Sequence, residues 1–345
     1  MRANRREQVM AFLKAGARFG VNMDTVDLNI LFGGVITLAN TGRIYSDGAF
    51  GDRVALFGNF SFDGAGRLAG GELNHIQENL SGYLHFDVSG FSASATRIVG
   101  LAADGDMPAA FRTILNGDDS LIGASFDDLL RGHDGDDTID GGGGYDTIYG
   151  GAGNDVVVSG TNHGPGDSYL RGDAGDDSIV GGIRFDDING NVGADTIRGR
   201  EGDDWVVGGQ DGDRLYGDQG ADQVYGNMGD DTGFGGEGAD TLRGGQGSDV
   251  LSGEDGDDFI SGDRGSDTVA GGSGADIFNT FVGAGIDRVL DFNAGEGDRV
   301  RVEGGAPYTV NQLGADVLVN LGGPDVVILV GVQLSTLPAG WIFSA

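Results

Sequence analysis

Cysteine is absent from the 345 residues, proline occurs only five times, and lysine once, at Lys14. Without cysteine there is no disulfide framework and no thiolate-ligated zinc or iron–sulfur site. Cationic side chains are few: 21 Lys+Arg face 54 Asp+Glu, a formal charge of −33. Such a surface repels nucleic-acid phosphates and anionic membranes, so nucleic acid is excluded as a partner and a cation is favoured. Long apolar runs are missing too. The longest uncharged one, Val326–Leu334, is far below the roughly 18 residues that span a bilayer, and no transmembrane segment is expected. Near the start, Arg2, Arg5 and Arg6 precede only Val9–Leu13 before Lys14. An export signal needs about 7–15 apolar residues there, so none is expected.

What the chain has in excess is glycine, 70 residues, about three times the usual share. Gly-X-Y spacing is absent, which excludes collagen. Aspartate instead recurs every ninth position. A first run is Asp119, Asp128, Asp137, Asp146 and Asp155. A second is Asp177, Asp186, Asp195, Asp204, Asp213, Asp222, Asp231, Asp240, Asp249, Asp258, Asp267 and Asp276. Between them lies a four-residue insertion, about Ser159–Asn162, after which Ser168 takes the aspartate slot. Two places after each of these positions stands Leu, Ile, Val or Phe, with Gly233 the exception. The unit is G-G-x-G-x-D-x-U-x.

Six residues of glycine-rich turn followed by a three-residue strand describe a two-sided solenoid with two units per coil. The apolar residue in slot eight points inward and its neighbours point out. One apolar side chain per nine residues cannot offset the ordering entropy of the other eight. Stacked coils would also place the slot-six carboxylates of units n and n+2 one strand spacing apart. The segment 114–279 carries 36 acids against 8 arginines and needs a counterion to collapse. Oxygen-only ligation, with no Cys or His in the pattern, selects calcium over zinc or copper, and over magnesium with its tighter octahedron.

The nonapeptide resembles that of the RTX (repeats-in-toxin) family, for which it is a calcium-binding motif. The resemblance covers about 114–279. It implies an all-β chain built on a parallel β-roll, with calcium ions held in the turns by the slot-six aspartates named above. It also implies export through type I secretion machinery by an uncleaved C-terminal signal, and therefore a secreted, extracellular protein. Departures from the motif are Phe126, Arg184 and Asp211 at slot four, Ser168 at slot six and Gly233 at slot eight. Weak or missing calcium is expected near Ser168, with a bulge over 159–166.

The flanks lack the repeat. Residues 1–113 read as a short amphipathic helix over 5–17, strands at Leu28–Leu38, Val54–Phe62, Arg67–Ile76 and Tyr83–Ala95, and a helix capped by Asp106. This is a small antiparallel β-domain, similar to the leader domain of some RTX proteins. Residues 280–345 remain strand-like and end Trp341-Ile342-Phe343-Ser344-Ala345. They are expected to be a β cap and type I secretion segment, since an open solenoid end exposes core and strand edge.

Catalytic patterns are scarce. There is no H-E-x-x-H and no G-x-S-x-G, so the metalloprotease and lipase readings of the family fail. Glu72, His75, Glu78, His85 and Asp87 fall on neighbouring predicted strands, a grouping that a solvated strand face also produces. No catalytic residue is assigned. The expectation is a secreted, calcium-binding, non-enzymatic protein with a matrix, structural or adhesive role, its partners being cell-surface polysaccharide or other matrix proteins. The alternative is a secreted polysaccharide-active enzyme or glycan-binding protein with its site in residues 20–112. A pore-forming toxin is disfavoured, because no long apolar segment is present.

Overall fold

A computed structural model describes residues 117–123, 127–160 and 167–345 in full, and five earlier strands by their backbone alone. The expected helices over 5–17 and after Asp106, the insertion residues 161–166, Phe126, and the side chains of Glu72, His75, Glu78, His85 and Asp87 lie outside the described residues. The chain divides into two compact units, Met1–Gly166 and Asp167–Ala345.

In the first unit, β1 (Ile36–Leu38), β2 (Arg43–Asp47), β3 (Arg53–Phe62), β4 (Leu68–Leu80) and β5 (Tyr83–Ser94) form an antiparallel meander. β2 has no counterpart in the sequence reading, for its Arg-Ile-Tyr-Ser-Asp run lacks a clean apolar alternation. β5 pairs antiparallel with β6 (Ser120–Ile122), the first strand of the repeat. From there the pairing is parallel: β6 to Thr138–Asp140 to Val156–Val158 on one face, and Leu129–Asp134 to Thr147–Ala152 on the other. The meander thus hands its last edge to the roll, so that edge is not left open.

The second unit holds two parallel ladders. One starts at Tyr169–Ala174 and advances 18 residues per strand to Phe259–Gly265, then takes in Ile277–Thr280, Arg299–Val302 and Ile342–Ser344. The other starts at Ser178–Val180 and runs to Thr268–Ser273, then adds Ile286–Val289 and Asp325–Leu329. Beyond that point the pairing turns antiparallel, through Asp316–Gly322 to Thr309–Leu313.

The register stacks each core residue on its equivalent one coil away, as in Ile197 on Leu215 and Val206 on Val224. Slot eight is fully buried along the repeat, from Leu121 and Ile139 to Ile260 and Phe278. Gly233, the odd member, lies between Leu215 and Leu251. A Cβ there would be 3.0 Å from Leu251 Cδ2, so Leu251 occupies the room a side chain would need.

Ser120–Ile122, Thr138–Asp140, Val156–Val158 and Ser178–Val180 have the expected three residues, but most repeat strands are longer. Thr196–Glu201 pairs with Arg214–Gln219 up to Arg198↔Tyr216, skips the glycine corner, and resumes at Arg200↔Asp218. The reason is that turn backbones stack as closely as strand backbones, and their N–H and C=O groups need partners equally. At the C-terminal end, Phe278, Phe292 and Trp341 cover the core, with Phe292 centred 6.0 Å from each of its two neighbours.

Candidate metal centre

The repeat turns are set by two left-handed residues, at slots two and four, except the turn before Asp186, where Gly182 and Arg184 are not left-handed. Slot two carries φ of 78° at Asn191, 74° at Asp218 and 79° at Asn227, and slot four carries 140° at Gly220. Asn and Asp tolerate this region better than other side chains, which accounts for their frequency in slot two. Slot four is tighter. A Cβ on Gly220 would collide with the Gly202 carbonyl of the previous coil, so glycine is required there on two counts. Asp211 departs from glycine at slot four yet keeps φ at 72°.

This turn folds the slot-six side chain back inside. All seventeen aspartates singled out from the sequence are buried, from Asp119 at 4% exposure to Asp186 and Asp276 at 0%. In the second unit they form two columns. In one, each backbone N–H donates to Oδ1 of the aspartate 18 residues on: Asp177 to Asp195, Asp195 to Asp213, Asp213 to Asp231, Asp231 to Asp249 and Asp249 to Asp267, at 2.8–2.9 Å. The other runs from Ser168 through Asp186, Asp204, Asp222, Asp240 and Asp258 to Asp276. The first unit repeats the contact, Asp119 to Asp137 and Asp128 to Asp146. Slot-five aspartates bond in the opposite sense: Asp176 and Asp203 accept from the Ala194 and Ala221 N–H groups of the following coil. Adjacent coils are therefore tied twice.

The second oxygen is the chemically informative one. Oδ2 of Asp195, Asp204, Asp213, Asp222, Asp231, Asp240, Asp249 and Asp258 is buried and accepts no hydrogen bond among the described residues. It faces a backbone oxygen instead. A Cβ on Gly199 would lie 2.7 Å from the Gly217 carbonyl oxygen and nearer still to Asp204 Oδ2. Carboxylate and carbonyl oxygens converging with no donor between them repel one another unless a cation or a proton intervenes.

Burial expresses the same conflict as a proton affinity. It raises the carboxyls of Asp204 and Asp213 from the ordinary 3.8 to about 8, and those of Asp195, Asp222, Asp249 and Asp258 to about 7. Neighbouring aspartates push the same way, while the backbone N–H donor pulls back. Each such shift corresponds to roughly 4–6 kcal/mol against the ionised form. Among the described residues no three acidic or histidine side chains converge on a metal position. A metal here would be held by slot-six carboxylates together with turn carbonyls, an all-oxygen donor set that fits calcium.

Two positions deviate. Ser168 brings no carboxylate, and the Asp186 facing it has its Oδ2 occupied by the Gly182 N–H at 2.5 Å. The columns also outrun the repeat. The Asp267 N–H donates to Asp287 Oδ1 at 3.3 Å and the Asp276 N–H to Asp298 Oδ1 at 3.1 Å, with Asp287 and Asp298 both buried. The sequence reading missed these two because the spacing changes from nine to eleven. The signal was present in Gly285-Ile286-Asp287-Arg288-Val289, which keeps the glycine two before and the apolar residue two after. His133 lies in slot two at φ 83°. Trp205 is 42% exposed on the outer face, edge-on to Tyr225 at 6.5 Å.

A parallel β-solenoid with glycine-built turns and paired columns of buried aspartate defines the class of protein. Residues 114–278, just under half of the chain, match in adjoining or overlapping stretches the family described as RTX calcium-binding nonapeptide repeat, so this segment is built of RTX calcium-binding repeats. No curated protein matches the chain. Solved structures do. It is similar to the AlgE6R3 subunit of the Azotobacter vinelandii mannuronan C5-epimerase, at 25% identity over 39% of this chain and 78% of that one, with a TM-score of 0.26. It is also similar to the extracellular lipase LipA of Serratia marcescens, at 18% identity over 49% of this chain and 40% of that one, with a TM-score of 0.23. No helix among the described residues is long and apolar enough to cross a membrane.

Proposed function

We propose that this is a non-enzymatic extracellular protein whose roll is assembled by calcium after export, and that it serves a structural, matrix or adhesive role. One observation carries the reading: the columns of buried carboxylate oxygens that lack donors. Ionised and metal-free, they oppose the fold. With calcium between carboxylate and carbonyl they become its cross-links, and metal binding then supplies folding free energy. Free calcium is scarce in the cytosol, and extracellular modules bind it at about 10⁻⁴–10⁻³ M. The chain would therefore stay expanded inside the cell, fit to pass type I secretion machinery, and close outside. Cell-surface polysaccharide or other matrix proteins are the partners this role requires. The enzymatic or glycan-binding alternative rests on side chains of residues 20–112, which lie outside the described residues, and no observation favours it.

The test is a calcium titration of the full chain at pH 7.5, followed by circular dichroism and small-angle scattering. In chelator, 114–279 should lack parallel β signal and the radius of gyration should be large. Both should change together, and steeply, as calcium rises toward millimolar. A compact, β-rich chain in excess chelator at that pH would sink the reading.

A further inference from the structure

Where the nonapeptides end, two buried carboxylates from separate segments meet, Asp267 of the last repeats and Asp287 beyond them, and a third, Asp325, is near enough to act on Asp287 through its charge. Their exposures are 1%, 6% and 6%. None is in an ion pair among the described residues. The turn between Thr280 and Asp287 is a lengthened copy of a repeat turn. Gly285 takes the left-handed slot-four conformation at φ 110° and bridges in parallel to Gly265, its equivalent one coil earlier. Asp287 thereby arrives at the slot-six position of its coil and accepts the Asp267 N–H. The strand Ile286–Val289 pairs with Asp325–Leu329, and Asp325 accepts the Gly283 N–H at 2.9 Å. Asp267 Oδ2 is buried and accepts no hydrogen bond among the described residues.

The other column ends differently. Asp298 accepts the Asp276 N–H with one oxygen and the Asn293 N–H with the other, at 2.7 Å. Asp291 takes two further backbone donors, its two oxygens accepting the Gly271 and Gly272 N–H groups at 2.9 Å. Protein donors therefore occupy both oxygens of Asp298, although Asp276 Oδ2, like Asp267 Oδ2, is buried and accepts no hydrogen bond among the described residues. At the Asp267–Asp287 end, Asp287 has a single backbone donor among the described residues, the Asp267 N–H.

We propose that one calcium row continues a step past the repeats, into a junction site formed by Asp267 and Asp287 with turn carbonyls, and that this ion fastens residues 280–345 to the roll. Asp325 adds negative charge to the junction while its own carboxylate stays on Gly283. Asp298 is a structural terminus and holds no ion. The proposal rests on the calcium reading above and adds a site to it.

The experiment compares the full-length wild type with Asp287→Asn and Asp298→Asn in saturating calcium chloride. Bound calcium is counted by equilibrium dialysis, and hydrogen exchange is followed over Ile286–Val289 and Asp325–Leu329. Asp287→Asn should bind one ion fewer than wild type and exchange at least tenfold faster in both strands. Asp298→Asn should keep the wild-type ion count. An unchanged count and unchanged exchange in Asp287→Asn would overturn the proposal. Should that variant fail to fold, anomalous scattering from wild-type crystals grown in calcium decides. A peak about 2.3–2.6 Å from oxygens of both Asp267 and Asp287 is expected. Peaks along the repeat with none at the junction sink this site alone, whereas no bound calcium anywhere sinks the calcium reading itself.

Discussion

At the scale of single residues, the solenoid divides labour between neighbours. Ile197 is fully buried on its stack of equivalents, while Arg198 beside it turns outward, over the Tyr216 ring at 4.1 Å and onto Asp218 at 2.9 Å. The same reversal separates Val224 from Tyr225. Replacing Ile197 or Val224 by Asp buries a carboxylate with no donor and should cost more than about 4 kcal/mol. The same change at Arg198 or Tyr225 removes exposed contacts worth about 1 kcal/mol or less. Thermal melts of the four variants in saturating calcium measure the order. Equal losses at inner and outer positions would mean that slot eight does not carry the core.

The element that matters is the turn, and it is where legibility ran highest. A nine-residue aspartate period was enough to place the seventeen buried carboxylates, because tight stacking forces every coil to the same length and each aspartate to the same place. The period also identified the inward residue, since strand alternation leaves slot eight no other face. Three things escaped it. The true extent of pairing was hidden because turn glycines carry no strand signature, although their backbones bond coil to coil. Asp287 and Asp298 were hidden because two added residues break the register while the fold restores it. The occupation of Asp186 Oδ2 by the Gly182 N–H follows from local turn geometry, which no spacing encodes. The turn has a pH response of its own. A carboxyl raised from 3.8 to about 7 or 8 binds more protons folded than unfolded throughout that interval. Metal-free stability must therefore rise as pH falls from 8 toward 5, and be lost again as pH rises through the folded pKa. In chelator, circular dichroism should report β structure gained between pH 8 and pH 5. Calcium competes for the same oxygens, so in saturating calcium the dependence over that range should be much flatter. A chelated chain whose spectrum is identical at pH 5 and pH 8 would count against buried, donor-less carboxylates.

For the molecule as a whole, the question is whether calcium acts as a counterion or as a ligand. The segment 114–279 carries 36 acidic residues and 8 arginines, and self-repulsion alone could keep it expanded. Monovalent salt separates the two cases. At 1 M the screening length is about 3 Å, shorter than the roughly 4.8 Å between stacked strands, so repulsion between coils is largely removed. Salt nevertheless offers nothing to Asp204 Oδ2 or to the Gly217 carbonyl it faces, because both sit where hydrated sodium gains little. The expected outcome is that 1 M sodium chloride in chelator contracts the chain modestly without parallel β signal. Millimolar calcium at low ionic strength should produce the folded roll. The transition should also be steep, since an ion bridging two coils orders the backbone that forms the next site. Scattering and circular dichroism on the full chain under the two conditions read this directly. If concentrated sodium chloride folds the chain as completely as calcium does, the aspartate columns need only screening, and their buried oxygens must find partners without a metal.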